Sequence, residues 1–352
     1  MNIIKNIFTL LLFIWSSTAS ATPPNLSQKY LHLNTKIDYL NTSENFDKEG
    51  GGIEELPNNN FYERYNLSVS ALYTFATDMA LDLGFAFASA KSSNSSDDRT
   101  NTQFTEVVSK VYYQLSEKPF ELIPELTLVI PFNRVDNATD EVLTGEGALQ
   151  FSAGSWLVKD FGIFYVYLYA AYNYRDEGRS HLLPWSLGTE FDFNGFYVGA
   201  EGFGFESLTD DAETQNTNSD KSRVPARVDA SSLSFYAINP QEIAIKGWVG
   251  FDFSKYFLTK IAYSQGINGQ NYGVNRIVSV MFEYKLDMTD NEPKRRSIID
   301  RKARKKLQDF EVDDEKYEEE LFDSNKQRQR RKQKVKDQHL LEETEKIIED
   351  RQ

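Results

Sequence analysis

No cysteine occurs in the 352 residues. That excludes disulfide staples, thiolate nucleophiles and thiolate metal sites. Histidine is nearly as scarce, with His32, His181 and His339 making up the whole complement, too few for a histidine-built metal centre. Basic charge is outweighed: 39 Lys and Arg stand against 53 Asp and Glu, for a formal net charge of -14. The phosphate-neutralising footprint of a nucleic-acid-binding protein is therefore missing, and no nucleic acid partner is expected. No phosphate loop, dinucleotide fingerprint or metal-ligand cluster is present either, so no cofactor and no metal are expected. Long apolar runs are absent beyond residue 21, where no stretch reaches the roughly 18 residues of a membrane-crossing helix.

What is present begins with a processing segment. Lys5 supplies positive charge, Ile7 to Trp15 form an apolar core interrupted only by Thr9, and Ala19-Ser20-Ala21 has the small-x-small form of a cleavage site. Residues 1–21 read as a signal peptide, with 22–29 as a short N-terminal periplasmic segment of the mature chain. A secreted chain without apolar helices either stays soluble or enters a membrane as strands.

The period of the next 260 or so residues decides between those outcomes. Leu31, Leu33, Thr35, Ile37 and Tyr39 alternate with His32, Asn34, Lys36 and Asp38. The same period of two runs through Tyr65 to Phe75, Leu81 to Phe87, Leu122 to Phe132, Leu149 to Leu157, Phe164 to Tyr174, Leu183 to Phe193, Ile243 to Phe253 and Val278 to Leu286. Less regular strands fill 102–114, 196–208 and 256–266. The sum is twelve strands, an even number, each long enough to cross a bilayer at a tilt. Connections alternate in length. Long loops, most of them polar, near 41–60, 92–101, 134–144, 176–181, 207–239 and 267–274 take turns with tight links near Thr77-Asp78, 116–120, Lys159-Asp160, Asn194-Gly195 and Ser254-Lys255. An outer-membrane barrel sorts its loops by parity in this way, and a soluble sandwich does not. Aromatics near strand ends (Tyr62, Tyr65, Trp185, Phe193, Phe196, Tyr256, Phe257, Tyr284) fit interfacial girdles. The expectation is an all-β fold, an antiparallel transmembrane outer-membrane β-barrel over residues 30–288 in contact with outer-membrane lipid.

If the apolar parity faces lipid, the other names the lumen. It carries the selectivity candidates Lys36, Asp38, Arg64, Asp82, Glu106, Lys110, Glu125, Arg175, Glu190, Asp192, Glu201, Lys246, Asp252 and Lys260, with Glu146 and Glu283 beside them. Charges at membrane depth are tolerated where they face water or each other. They either pair as a structural network or set solute selectivity. Carboxylates outnumber bases, which favours cationic or neutral solutes. An aromatic set shares the lumen parity: Trp156, Tyr165, Tyr167, Tyr169, Tyr197, Phe203, Phe205 and Trp248. It either holds an apolar or aromatic solute or plugs the bore. No catalytic residue is expected. Ser180 and His181 are adjacent, and neighbours on a strand point to opposite faces, so they do not form a nucleophile and base.

After Met288 the character changes. Basic blocks 294–306 and 326–336 alternate with acidic blocks 309–323 and 342–350, without glycine or a sustained heptad. Residues 289–352 read as a charged, helical or disordered periplasmic tail, since an even strand count returns the chain to its starting side. A periplasmic protein or cell-wall partner for this tail is one expectation.

The stretch Ser152-Ala153-Gly154-Ser155-Trp156, the run from Tyr165 to Arg175 and the strand pair from Leu187 to Phe205 carry a resemblance. Over residues 60–286 the chain resembles the outer-membrane channel and transporter barrels grouped under the meta-pathway of phenol degradation. That resemblance implies a signal-bearing barrel of about this strand number and passage of small molecules. The charged tail lies outside it, and Phe282 and Tyr284 would have to supply internally the aromatic signal that such barrels carry at their ends. The function expected is a channel or transporter for small solutes. The alternatives are a plugged barrel anchoring a docking tail and an outer-membrane lipid-modifying enzyme.

Overall fold

The structure, a computed structural model, describes residues 23–24, 26, 30–76, 78–94, 97–216 and 220–288. The signal peptide, Thr77 and the charged tail expected from the sequence lie outside the described residues.

Alternating side chains produce long strands. These are β1 (Tyr30–Thr42), β4 (Phe61–Thr74), β5 (Met79–Ser93), β6 (Asp98–Tyr113), β7 (Glu121–Pro131), β8 (Gln150–Asp160), β9 (Phe164–Arg175), β10 (Leu182–Asp192), β11 (Phe196–Ser207), β12 (Gln241–Ser254), β13 (Phe257–Gln270) and β15 (Arg276–Asp287). Each pairs antiparallel with its neighbour, and β1 pairs with β15, closing a twelve-stranded barrel. Closure satisfies every ladder and leaves no open sheet edge, which a strand-built membrane protein requires. Between β1 and β4, β2 (Glu44–Phe46) and β3 (Ile53–Glu55) join β14 (Tyr272–Gly273) in a small sheet over the barrel end that bears the long loops, the loop end. Helix α1 (Asp220–Val228) lies in the longest loop.

The outer wall shows what surrounds it. Ile37, Leu83, Phe85, Leu126, Ile130, Leu168, Leu187, Ile245, Ile261 and Val278 are each between 43 and 53% exposed. They come from strands all round the barrel, an apolar belt larger than water tolerates on a soluble protein. The molecule is thus built as a membrane-spanning β-barrel, with lipid as the solvent of its outer face.

The strand ladder departs from regularity between β12 and β13, at Ile243/Ala244 and at Asp252/Ser254, and between β5 and β6. The β5–β6 register skips between Phe85 and Phe87, so Thr105 and Glu106 of β6 together oppose Ala86. This is a β-bulge. Beyond it, β6 pairs with β7 only from Glu106 to Tyr112. The loop 132–149 covers the rest, through Phe132 N–H to Thr105 O (2.8 Å), Asn101 to Val142 O (2.8 Å) and Gln103 to Thr144 (2.5 Å).

Candidate functional site

Among the residues expected in the lumen, charged and aromatic side chains meet in mixed clusters rather than in two separate sets. Glu125 on β7 accepts hydrogen bonds from Trp156 Nε1 of β8 (2.7 Å), Thr127 Oγ1 (2.7 Å) and Tyr169 OH of β9 (3.3 Å), with Lys110 Nζ of β6 at 4.0 Å. Three strands along, Glu190 of β10 repeats the pattern. Trp248 Nε1 and Lys260 Nζ donate to one carboxylate oxygen and Tyr165 OH (3.2 Å) to the other. Each cluster is a glutamate, a tryptophan, a tyrosine and a lysine. Such mutual pairing is what makes buried charge affordable. Lys246 adds an ion pair to Glu201 (3.4 Å) and lies 5.2 Å from the Trp248 ring, while Lys260 lies 5.6 Å from the Tyr197 ring.

Small residues make room for the rings. Tyr167 lies flat against Gly188 of the paired strand, and Trp248 against Gly199. A Cβ at either glycine would come closer to the ring than van der Waals contact allows. Trp156, Tyr167 and Trp248 join Leu72, Ala80, Tyr112, Ile123 and Val158 in an apolar cluster, against which Leu26 packs. The short N-terminal segment thus reaches the lumen cluster with at least one side chain.

The β1–β15 seam carries a second group. Asp38 accepts from Ser279 Oγ (2.5 Å), pairs with Lys36 (2.9 Å) and contacts Asn66 (3.4 Å), to which Arg64 donates (2.9 Å). His32 Nδ1 meets Glu283 (2.7 Å), with Lys285 3.7 Å from the same oxygen. Asp82 sits opposite Lys110 in register. Asp192 and Asp252 are exposed at the turn end. Asp192 Oδ1 accepts from Gly195 N–H (3.1 Å) within the β10–β11 turn, and Asp252 accepts from Tyr197 OH (2.6 Å). They belong to the rim rather than to the narrow part of the bore. Phe203 lies across from Ser186 and Ala244 on the inner wall, and Phe205 rises to the loop end, packing edge-on against Tyr272 at 5.1 Å.

At the loop end, two loops close over the mouth. Val142, Leu143, Val224, Val228, Phe235 and Tyr236 pack with Leu40, Tyr62 and Ala90 of the wall. Tyr62 OH donates to Leu143 O (2.5 Å), Ser92 Oγ to Val228 O (2.5 Å), and Asp229 accepts from Leu143 N–H (2.9 Å). Ser234 joins Thr42 (3.0 Å) and Asn275 (2.6 Å). The guanidinium of Arg64, on β4, lies 4.9 Å from the Phe235 ring, and that of Arg179, from the β9–β10 loop, 4.7 Å from Tyr236. Consecutive aromatics are therefore gripped by arginines reaching from separate parts of the wall. Arg175 and Arg179 share Glu146, at 3.2 and 2.7 Å. Ala230, Ser231, Tyr236 and Asn239 hold positive φ between 46° and 74°, a conformation that non-glycine residues keep only where the surroundings enforce it. Burial pushes the Asp229 carboxyl well above the usual carboxylate range, against the opposing Leu143 hydrogen bond.

One expectation is corrected and one refined. Tyr62, placed in the interfacial girdle from sequence, is fully buried within the mouth, because it follows the inward parity of Arg64 and Asn66. The 207–239 connection, placed by sequence among loops that are mostly polar, packs Val224, Val228, Phe235 and Tyr236 into the mouth. These apolar residues in a loop were the signal for it. Ser180 and His181 diverge as expected: Ser180 is buried on Arg175 (2.7 Å), while His181 Nδ1 meets Tyr172 OH (2.5 Å) on the outer wall.

Known proteins add the following. No family model matches the chain, and no curated protein sequence does. Among solved structures, an outer membrane channel from Pseudomonas putida F1 superposes with a TM-score of 0.58 at 9% identity, covering 77% of this chain and all of that one. The NanC porin gives a TM-score of 0.42 at 10% identity over 72% of this chain and all of its own. The β domain of the Bordetella autotransporter BrkA gives 0.43 at 9% over 74% of this chain and all of its own. The first of these likenesses establishes the fold, a closed membrane barrel of the outer-membrane type.

Proposed function

We propose that this protein is an outer-membrane channel passing small cationic or neutral solutes, some of them aromatic, through a narrow lumen lined by charges and rings. The observation that carries this reading is the lumen wall. It is built of carboxylates, lysines and ring N–H and O–H groups in an ordered network, where a mere anchor would be stable with an apolar filling. The long loops then face the outside and the turns the periplasm, as in barrels of this architecture. An excess of wall carboxylates favours cations over anions. The even number of strands supports a periplasmic place for the charged tail that follows β15.

The covered mouth favours a second reading, a sealed barrel that anchors a periplasmic docking tail. Single-channel recording of refolded protein in planar bilayers, after heat-modifiable migration has verified folding, separates the two. Small, steady, cation-preferring steps support the channel. A folded barrel that never conducts, with or without residues 220–239, supports the anchor.

A further inference from the structure

A cleft of about 150 Å³ opens at the loop end between strand β6 and the loop 132–147. Its wall is made of amides (Asn101, Gln103, Asn133), hydroxyls (Thr105, Thr139, Thr144), two carboxylates (Glu106, Glu141) and the guanidinium of Arg134, with Val135, Val142 and Leu143 between them. No aromatic ring contributes. The volume is that of about five waters at roughly 30 Å³ each, enough for one small ring or open-chain polyol and too little for a drug-sized ligand.

Two features mark the cleft as built. The bulge in β6 turns both Thr105 and Glu106 toward it, although adjacent residues of a regular strand face opposite ways. Opposite them the loop doubles back at Gly147, whose φ is +64°; a Cβ there would lie 2.9 Å from Val135 and 3.0 Å from Asn133 O. Within this frame Thr105 is 7% exposed and its Oγ1 has no hydrogen-bond partner. A buried hydroxyl without a partner costs the fold stability and returns none. The amides of the cleft are spent on the loop itself, Asn101 on Val142 O, Gln103 on Thr144 and Asn133 on Gln103, while the buried Thr105 hydroxyl has no such partner.

We infer that this cleft is a binding site for a small uncharged polyhydroxyl ligand of monosaccharide size, met at the loop end before the lumen. An anion would face Glu106 and Glu141. A quaternary ammonium ion offers Thr105 neither donor nor acceptor, and Arg134 is already held by Asp176 (3.1 Å) and Glu177 (2.9 Å). An apolar or aromatic molecule would find no ring to stack on and would seal Thr105 from any partner. Hydroxyls, which donate and accept, can partner the Thr105 hydroxyl and the carboxylates of the lining alike. The inference deepens the channel reading by naming a solute class, yet binding is measured apart from conduction.

The test is titration of the full-length refolded protein in nanodiscs with D-glucose, tetramethylammonium chloride and sodium benzoate, followed by calorimetry or saturation-transfer NMR. D-Glucose is expected to saturate and the two ions are not. Thr105→Val, which keeps the shape and removes the hydroxyl, is expected to weaken glucose binding about tenfold while leaving the melting temperature equal or higher. Glu106→Gln provides a second variant should the first misfold. Absence of saturable glucose binding, saturation by benzoate or tetramethylammonium instead, or wild-type affinity in both variants overturns the site. Conduction that persists after such a result leaves the channel reading standing, and binding without conduction removes only that reading. The same hydroxyl chemistry is found on free sugars and on lipopolysaccharide. Glucose affinity that falls when lipopolysaccharide is added to the nanodiscs identifies the lipid glycan as occupant, and unchanged affinity identifies the free solute.

Discussion

The two halves of the lumen are narrowed by different means. Toward the turn end, side chains of the wall itself do the filling: Glu125, Glu190 and their tryptophan, tyrosine and lysine partners are rooted in seven strands, β6–β10, β12 and β13, with the intervening β11 carrying the glycine that receives Trp248. Toward the loop end, backbone does it. Segments 132–149 and 220–240 are laid across the mouth and tied to the wall by a limited set of bonds. A constriction made of wall residues moves only if the barrel moves. One made of loops is released by breaking a few contacts, because loops open at far lower free energy than the strands that carry them. On the channel reading proposed above, the contrast would put gating at the loop end and selectivity in the turn-end half.

The largest expected effect breaks the contrast outright. Replacing 220–239 with a short Gly-Ser linker should leave heat-modifiable migration intact and raise single-channel conductance several-fold; unchanged conductance would place the seal lower down. Glu190→Gln attacks the other half. It deprives the Lys260 ammonium of its carboxylate, and breaking a buried pair costs about 3 kcal/mol or more. Urea unfolding should show that loss, and reversal potentials should move toward anions. Gly199→Ala places a methyl where the Trp248 ring lies, an overpacking expected to cost about 1–3 kcal/mol in the same assay.

Two smaller effects sharpen the comparison at the mouth. With its carboxyl raised in the folded state, Asp229 holds a proton that the opened loop releases. The seal is then firmest in acid and weakens as pH climbs from the ordinary aspartate value near about 3.9 toward the raised one. Channel open probability should rise over that range, and Asp229→Asn, which keeps an acceptor for Leu143 N–H, should flatten the dependence. Tyr62→Phe removes the hydrogen bond to Leu143 O and should cost about 1 kcal/mol, visible as faster hydrogen exchange in residues 142–144 and not in β7.

Much of this architecture was legible in the residues. The period of two located all twelve barrel strands, since lipid outside and polar groups inside impose opposite demands on alternate positions. Boundaries slipped where strands outrun the bilayer: the loop expected at 92–101 is only Asn94 to Asp97, because β5 and β6 continue as a ladder beyond the membrane. Parity gave each strand an inward and an outward face, but the pairing of the inward charges was not legible. That Glu125 meets Trp156 and Glu190 meets Trp248 depends on the stagger between strands, which alternation does not encode. The small sheet of β2, β3 and β14 and the grip of Arg64 and Arg179 on Phe235 and Tyr236 are contacts between distant loops, beyond the reach of local patterning.

The seam between first and last strands has a consequence for biogenesis. Tyr30 faces Asp287 and Asn41 faces Arg276 across it, so its ladder joins residues separated by nearly the whole sequence of the barrel. Such contacts are the slowest to form, since the intervening chain must be ordered first. The bonds Ser279 to Asp38 and His32 to Glu283 exist only once that last ladder has zipped. A protease site or a fluorophore pair placed across β1 and β15 would therefore time completion of the barrel, and the two lumen bonds would act as its closing clasp.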